Sequence, residues 1–236
     1  RPARILGILN KNRLYAYLNS TKLRLRFKTQ WTYYGSDQAF RRKVYHTYED
    51  YIAHQKSKLE HIDLSNYDIK YRAVLRERLE KLNLLERGMT ILCLAARKGT
   101  EVKSFLDLGC SATGIDLNPG ENNQYVKYGD FHDIQFPSFS IDVLFTNSLD
   151  HVFDLKKVID EVKRVLKPNG LLIVEAVRGS DEGEPPGSFE SFSWSTIDSL
   201  ISLLQNSQFQ LIKRCSFHYP WNGEQLCFKK SKRGVK

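Results

Sequence analysis

The sequence predicts an α/β fold, a largely parallel sheet with helices on both faces. Three observations predict it. From Met89 onward, short apolar runs alternate with helix-length amphipathic ones, the pattern of strand–helix–strand units. The runs over residues 91–96, 141–146 and 171–174 are apolar almost throughout, as strands buried on both faces must be. Residues 112–117 form a further strand that carries Asp116 at its tip. A carboxylate at the end of the second strand of such a unit can accept both hydrogen bonds of a ribose diol.

The elements follow in order. Residues 1–88 read as mostly helical. Ile5, Leu6, Ile8, Leu9, Leu14, Tyr15 and Leu18 recur at helical spacing. Residues 45–59 repeat the period with Tyr48, Tyr51, Ile52 and Leu59. Residues 71–85 repeat it with Val74, Leu75, Leu79, Leu82 and Leu85, and Arg87-Gly88 ends the run. Beyond it, strands are expected at 90–96, 112–117, 124–128, 141–146 and 171–177, with helices at 100–108, 155–166 and 195–204. Val158, Ile159, Val162 and Val165 give the second of these helices its buried stripe. Lys167-Pro-Asn-Gly170 is a turn. Strands at 209–217 and 225–229 close the chain as a hairpin around Trp221-Asn-Gly223 and place an antiparallel strand at the end. The chain thus divides into a basic, helical extension (1–88) and an α/β domain (89–236). The acidic, glycine- and proline-rich loop 178–187 follows a strand end, where it serves either as a lid over a ligand or as a plain surface connection.

The 236 residues, 41% hydrophobic and 27% charged, suit one α/β domain with an added segment. No apolar run approaches 18 residues, so no integral membrane span is expected. The chain starts at Arg1 and not at Met, so an excised or processed piece is expected, and any targeting segment upstream would not be visible in it. Its four cysteines form no CxxC pair, which argues against a zinc knuckle or redox motif. Cys93 and Cys227 read as core residues, and a reducing, cytoplasm-like compartment is the simpler expectation. The net charge of +9 lies in the N-terminal arm: residues 1–44 hold 11 Lys and Arg against Asp37, and the remainder nets −1. Such an arm meets an anionic partner or is a solvated face.

Several ordered motifs in residues 89–230 together resemble the class I S-adenosylmethionine-dependent methyltransferases, in the type 11-like branch. Ile91-Leu-Cys-Leu-Ala-Ala-Arg-Lys-Gly99 stands where that family has its glycine-rich loop. Gly114-Ile-Asp-Leu-Asn-Pro119 matches the second-strand motif, and Gly129-Asp-Phe-His-Asp133 the adenine turn. Residues 136–147, Ser148-Leu-Asp-His-Val152 and residues 158–174 match the rest. The resemblance implies a Rossmann-like, seven-stranded, mostly parallel sheet and S-adenosyl-L-methionine as cofactor. It further implies that Ala95, Gly99, Glu101, Asp116, Leu117, Asp130, Phe131 and Asn147 bind that cofactor. Asp116 would take the ribose hydroxyls. Asp130 would accept from the adenine amino group while the Phe131 backbone N–H donates to a ring nitrogen. The first loop departs from the family: only Gly99 remains, and Arg97 is accommodated only if its side chain points away. Glu101 would replace the missing acid and receive the cofactor's amino group.

Methyl transfer from a sulfonium needs alignment and removal of the acceptor's proton. Asp150 and His151 are the catalytic candidates. His151 serves as general base or has a structural role. No metal is expected. The segment after the fourth strand, Thr146-Asn-Ser-Leu149, lacks the Asn/Asp-Pro-Pro-Tyr/Phe of amino-group methylation of DNA bases. No Pro-Cys stands at a strand end, and no RNA-binding module is recognisable. The leading expectation is O-methylation of a small-molecule or glycan acceptor. The alternatives are an RNA or protein methyltransferase that uses the basic arm, and a non-catalytic module.

Overall fold

The computed structural model describes residues 22, 25–60 and 65–231. The helix expected over residues 5–18 lies outside them. Ten strands form two sheets, flanked by five α-helices among the described residues.

The larger sheet has seven strands. They are β3 (Thr90–Leu94), β4 (Ser111–Asp116), β5 (Val126–Tyr128), β6 (Ile141–Thr146), β7 (Leu166–Val177), β9 (Phe209–Phe217) and β10 (Gly223–Lys230). Their order is β5-β4-β3-β6-β7-β10-β9. All neighbours from β5 to β7 run parallel, and β10 runs antiparallel to both β7 and β9. This is the Rossmann-like architecture expected, with the terminal hairpin in place. The turn at 167–170 lies within β7: Asn169 takes a left-handed φ of 63°, and the pairing with β6 jumps from Ile141↔Leu166 to Val143↔Leu171.

Strand alternation decides which side each residue feeds. Ile91 and Cys93 of β3 join one buried cluster with Tyr71, Leu75 and Leu79 of helix α2 (Ser65–Leu82) and Phe105 of α3 (Thr100–Asp107). Leu92 and Leu94 join the opposite cluster, with Val158 and Val162 of α4 (Leu155–Val165) and Leu200 and Leu204 of α5 (Ile197–Asn206). Helix α4 starts at Asp154, whose carboxylate accepts from Lys157 N at 3.1 Å. Thr196 caps α5 in the same way. Cys93 and Cys227 are fully buried thiols, as read from sequence.

The extension is not helical throughout. Gln30–Tyr34 (β1) and Asp37–Val44 (β2) form an antiparallel hairpin, which also pairs with the three-residue β8 (Phe192–Trp194). The aromatic and β-branched residues of Trp31-Thr-Tyr-Tyr34, followed by Gly35-Ser36, favour a strand and turn over a helix. Helix α1 (Tyr48–Lys56) then leads into a 3₁₀ turn, Ser57–Glu60. Phe40 faces Trp194 and stacks on Phe192 at 5.9 Å, so the hairpin closes over the carboxyl ends of the main sheet.

Candidate active site

The sheet order reverses at β3: β4 lies on one side and β6 on the other. In open α/β sheets the crevice beyond the carboxyl strand ends at such a reversal takes the ligand. Two adjoining cavities occupy that position. The first is a narrow crevice lined by Ala95, Asp116, Leu117, Asn118, Phe131 and Ser148, with Tyr51 and Gln55 of α1 across from them. The second is a wider chamber of 280 Å³, with Asn147, Asp150, Glu190, Phe192, Trp194 and Trp221 in its wall. Lys58, Arg97 and His151 line both.

The loop after β3 turns tightly. Ala95, Arg97 and Gly99 all have left-handed φ, of 53°, 41° and 81°. Only at Gly99 is that conformation free of a Cβ penalty, and a Cβ there would lie 2.7 Å from Tyr125 Cβ. Gly114 matters for close approach: a Cβ on it would lie 2.7 Å from the Ala96 Cβ. The loop therefore lies directly on β4. Its conformation is fixed by Asp116, whose Oδ2 accepts from Arg97 N at 2.9 Å and whose Oδ1 accepts from Asn118 N at 2.7 Å. Each carboxylate oxygen retains a second acceptor position. Arg97 does not turn away; its side chain belongs to both cavity walls.

Not every expected cofactor contact faces a cavity. Ala95, Asp116, Leu117 and Phe131 line the crevice, and Asn147 lines the chamber. Gly99 is the N-cap of α3. Glu101, in the first turn of α3, is buried behind Asn147, with its Oε1 3.0 Å from Asn147 Nδ2. Burial pushes its carboxyl up to about 7. Asp130 is held internally by the Tyr48 hydroxyl and by the backbone N and Nδ1 of His132, both at 2.8 Å. Burial raises its pKa, but the hydrogen bonds from His132 and Tyr48 outweigh it and hold the group below the ordinary carboxylate value. His132 in turn accepts from Phe153 N and Asp154 N through Nε2, which ties the turn to the start of α4.

Asp150 and His151 sit in a 3₁₀ turn, Leu149–His151, just after β6. His151 Nδ1 lies 3.0 Å from the Phe189 carbonyl and must carry the proton to donate there, so Nε2 is an acceptor. Lys58 Nζ donates to it at 2.7 Å. Burial and the Lys58 and Arg97 cations hold His151 well below its ordinary pKa, in the neutral form. Burial, reinforced by Glu190, pushes the Asp150 carboxyl up to about 7. Asp150 Oδ1, Glu190 Oε2 and Trp221 Nε1 are buried and find no hydrogen-bond partner among the described residues. A ligating atom from each of Asp150, His151 and Glu190 lies within 4.8 Å of the others.

Several of these residues were not legible as site residues. Lys58 and Gln55 come from a charged, weakly patterned helix end. Glu190, Trp194 and Trp221 lie beyond the family's motifs. Phe189 and Ser191 bind the extension instead: Gln55 Nε2 donates to Phe189 O at 2.9 Å, and Tyr45 OH lies 2.7 Å from Ser191 Oγ. Lys43 Nζ donates to the Ser188 carbonyl.

The family model described as "Methyltransferase domain" matches residues 92–174, from β3 through most of β7. That match covers the loop, the Asp116 strand and the Asp150-His151 turn. Over residues 92–174 the chain carries an S-adenosylmethionine-dependent methyltransferase domain. No curated protein matches the sequence. Among solved structures, this methyltransferase resembles 1,6-didemethyltoxoflavin-N1-methyltransferase from Burkholderia thailandensis. The identity is 15% and the TM-score 0.60, over 86% of this chain and 100% of that one. That protein was crystallised with 1,6-didemethyltoxoflavin and S-adenosylhomocysteine. A methyltransferase from Haloferax volcanii, solved in complex with the activator Trm112, shares 14% identity and a TM-score of 0.56 over 77% of this chain and 98% of that one. An Aquifex aeolicus S-adenosylmethionine-dependent methyltransferase shares 16% and 0.54 over 66% and 89%. At these identities the structures bear on fold alone. The methyltransferase uses S-adenosylmethionine, and among its described residues no helix is long and apolar enough to cross a membrane.

Proposed function

We propose that the protein O-methylates a small polyhydroxylated acceptor, of which a sugar unit is the simplest kind. One observation carries the reading: the 280 Å³ chamber beside the Asp116 crevice combines aromatic walls with the acidic residues Asp150 and Glu190. Trp194, Trp221 and Phe192 offer flat apolar faces, which suit the C–H faces of a sugar ring. The carboxylates of Asp150 and Glu190 accept hydrogen bonds, so an acceptor with several hydroxyls suits this wall better than an apolar one.

The residues of the crevice fit the methyl donor. Asp116 offers two free acceptor positions to the ribose diol, and Ala95, Leu117 and Phe131 supply apolar walls for the nucleoside. Arg97 and Asn147 face the part of the site that would hold the methionine group, with Glu101 orienting Asn147 from behind. Asp130 acts through the turn that it and His132 fix. S-adenosylmethionine supplies an activated methyl on a sulfonium. The chain aligns the acceptor hydroxyl, excludes water with the 178–191 segment and receives the hydroxyl proton. Lys43 lies over the Trp31 ring at 5.3 Å and donates to the Ser188 carbonyl, so this cation of the basic arm is committed within the fold and not to a polyanion.

The test is transfer of labelled methyl to methyl glycosides, polyols and simple phenols, run beside RNA and peptide pools. Transfer to a polyhydroxylated small molecule is the expected result. Transfer to RNA or peptide alone overturns the acceptor class, and absence of S-adenosylhomocysteine binding by calorimetry overturns the donor site.

A further inference from the structure

The methyl group must pass from the crevice to the chamber, so the reacting atoms meet where the two cavities join. Three side chains line both: Lys58, Arg97 and His151. A group that takes up the acceptor's proton there needs a free lone pair. Arg97 has none, because guanidinium stays protonated at any working pH. His151 has none to spare: Nδ1–H is committed to the Phe189 carbonyl and Nε2 accepts from Lys58. Of these three, Lys58 alone can expose a lone pair, once it has lost its own proton; Asp150, whose carboxylate also has one, lines the chamber and not the crevice.

We propose that Lys58, held by His151 as a positioning residue, is the general base of methyl transfer and loses its own proton when the sulfonium enters the site. As a neutral amine it keeps one N–H on His151 Nε2 and turns its lone pair toward the junction. The acceptor hydroxyl proton then moves to Lys58 Nζ as the oxygen–methyl bond forms and the carbon–sulfur bond breaks, its electron pair passing to sulfur. Lys58 ends as an ammonium ion and returns the proton to water. This step rests on the O-methylation reading; the proton loss on cofactor entry does not.

The electrostatics of the pocket agree. Burial, then repulsion by Arg97, lowers the Lys58 pKa to about 8, against the opposing pull of Asp150, Glu190 and Asp116. His151 is neutral. A second positive charge brought to the same junction lowers Lys58 further. S-adenosylmethionine carries that charge, and S-adenosylhomocysteine, with its neutral sulfur, does not.

The experiment is calorimetric titration of the full chain at pH 7.5 with each cofactor form, in buffers of differing ionisation enthalpy, to count protons released. At that pH about three quarters of a group titrating near 8 is protonated before binding, which sets the ceiling on release. The wild-type chain is expected to release a substantial fraction of a proton with S-adenosylmethionine and little with S-adenosylhomocysteine. Lys58→Met, and Lys58→Arg as a second variant that retains charge and volume, should show no such difference while still binding S-adenosylhomocysteine. Subtracting either variant removes the contribution of the cofactor's own amino group. Equal proton counts in wild type and variants, with S-adenosylhomocysteine bound by all, overturn the proposal and leave the methyltransferase reading intact. Failure of the wild-type chain to bind S-adenosylhomocysteine overturns both.

Discussion

The carboxylate of Asp116 holds the Arg97 and Asn118 backbone amides and still faces the crevice. Replacing it with Ala should weaken S-adenosylhomocysteine binding by roughly 1.5–3 kcal/mol, the loss of charge-assisted hydrogen bonds, read by calorimetry. An unchanged affinity would remove Asp116 from the site. Glu101 makes a second prediction, on stability. Burial raises its carboxyl to about 7, above the ordinary value of 4.5. Between those values the native state binds more protons than the unfolded state, so stability falls as pH rises from about 4.5 to 7. Glu101→Gln removes that slope. Its unfolding free energy should match the wild type near pH 4.5 and exceed it at pH 8, with a ceiling of about 3.5 kcal/mol at about 1.4 kcal/mol per unit. Equal pH profiles for the two proteins would refute the assignment.

At the scale of elements, α2 is bolted to the sheet by one buried ion pair. Arg78 Nε and Nη2 reach the two oxygens of Glu175 on β7, at 2.7 and 2.9 Å, and Tyr71 OH and Gln225 Nε2 complete its shell. Breaking a buried pair from one side strands the other charge, so Arg78→Ala should cost about 3–5 kcal/mol in chemical denaturation. A loss below about 1 kcal/mol would show that Tyr71 and Gln225 suffice for Glu175. The same scale explains what was legible in the sequence. The strands β3, β6 and β7 were readable because burial on both faces makes them apolar throughout, and α4 because its stripe keeps the 3.6 period over three turns. The β1–β2 hairpin has a local strand and turn signal in Trp31 to Ser36 that the helical reading passed over, but its pairing with β8 about 150 residues away leaves no local pattern. Lys58 was equally hidden: in Lys56-Ser-Lys58 it looks like any solvated charge, and only the fold brings it to His151. Asp130 was visible as a turn residue, but its engagement by Tyr48 depends on α1.

For the whole molecule, the extension and the methyltransferase domain share one site. The domain brings Asp116, Asp150 and His151; the extension brings Lys58 and Gln55, and through Lys43, Tyr45 and Gln55 it ties down residues 188–191. Trp194 stands where the two meet. Trp194 Nε1 is committed to the Val177 carbonyl at 3.0 Å, which leaves its ring for the chamber wall; Trp194→Phe should therefore leave S-adenosylhomocysteine affinity within about threefold while raising the acceptor KM by roughly tenfold or more. Equal losses in both affinities would place Trp194 in the scaffold and not in the acceptor wall. Phe40 pairs with Trp194 only after 154 further residues have been made. At about 5–20 residues per second, β2 waits roughly 8–30 seconds on the nascent chain with one edge open. An exposed strand edge is a template for the wrong partner, so the pairing that roofs the acceptor chamber also makes the start of this chain the part most in need of shelter during synthesis.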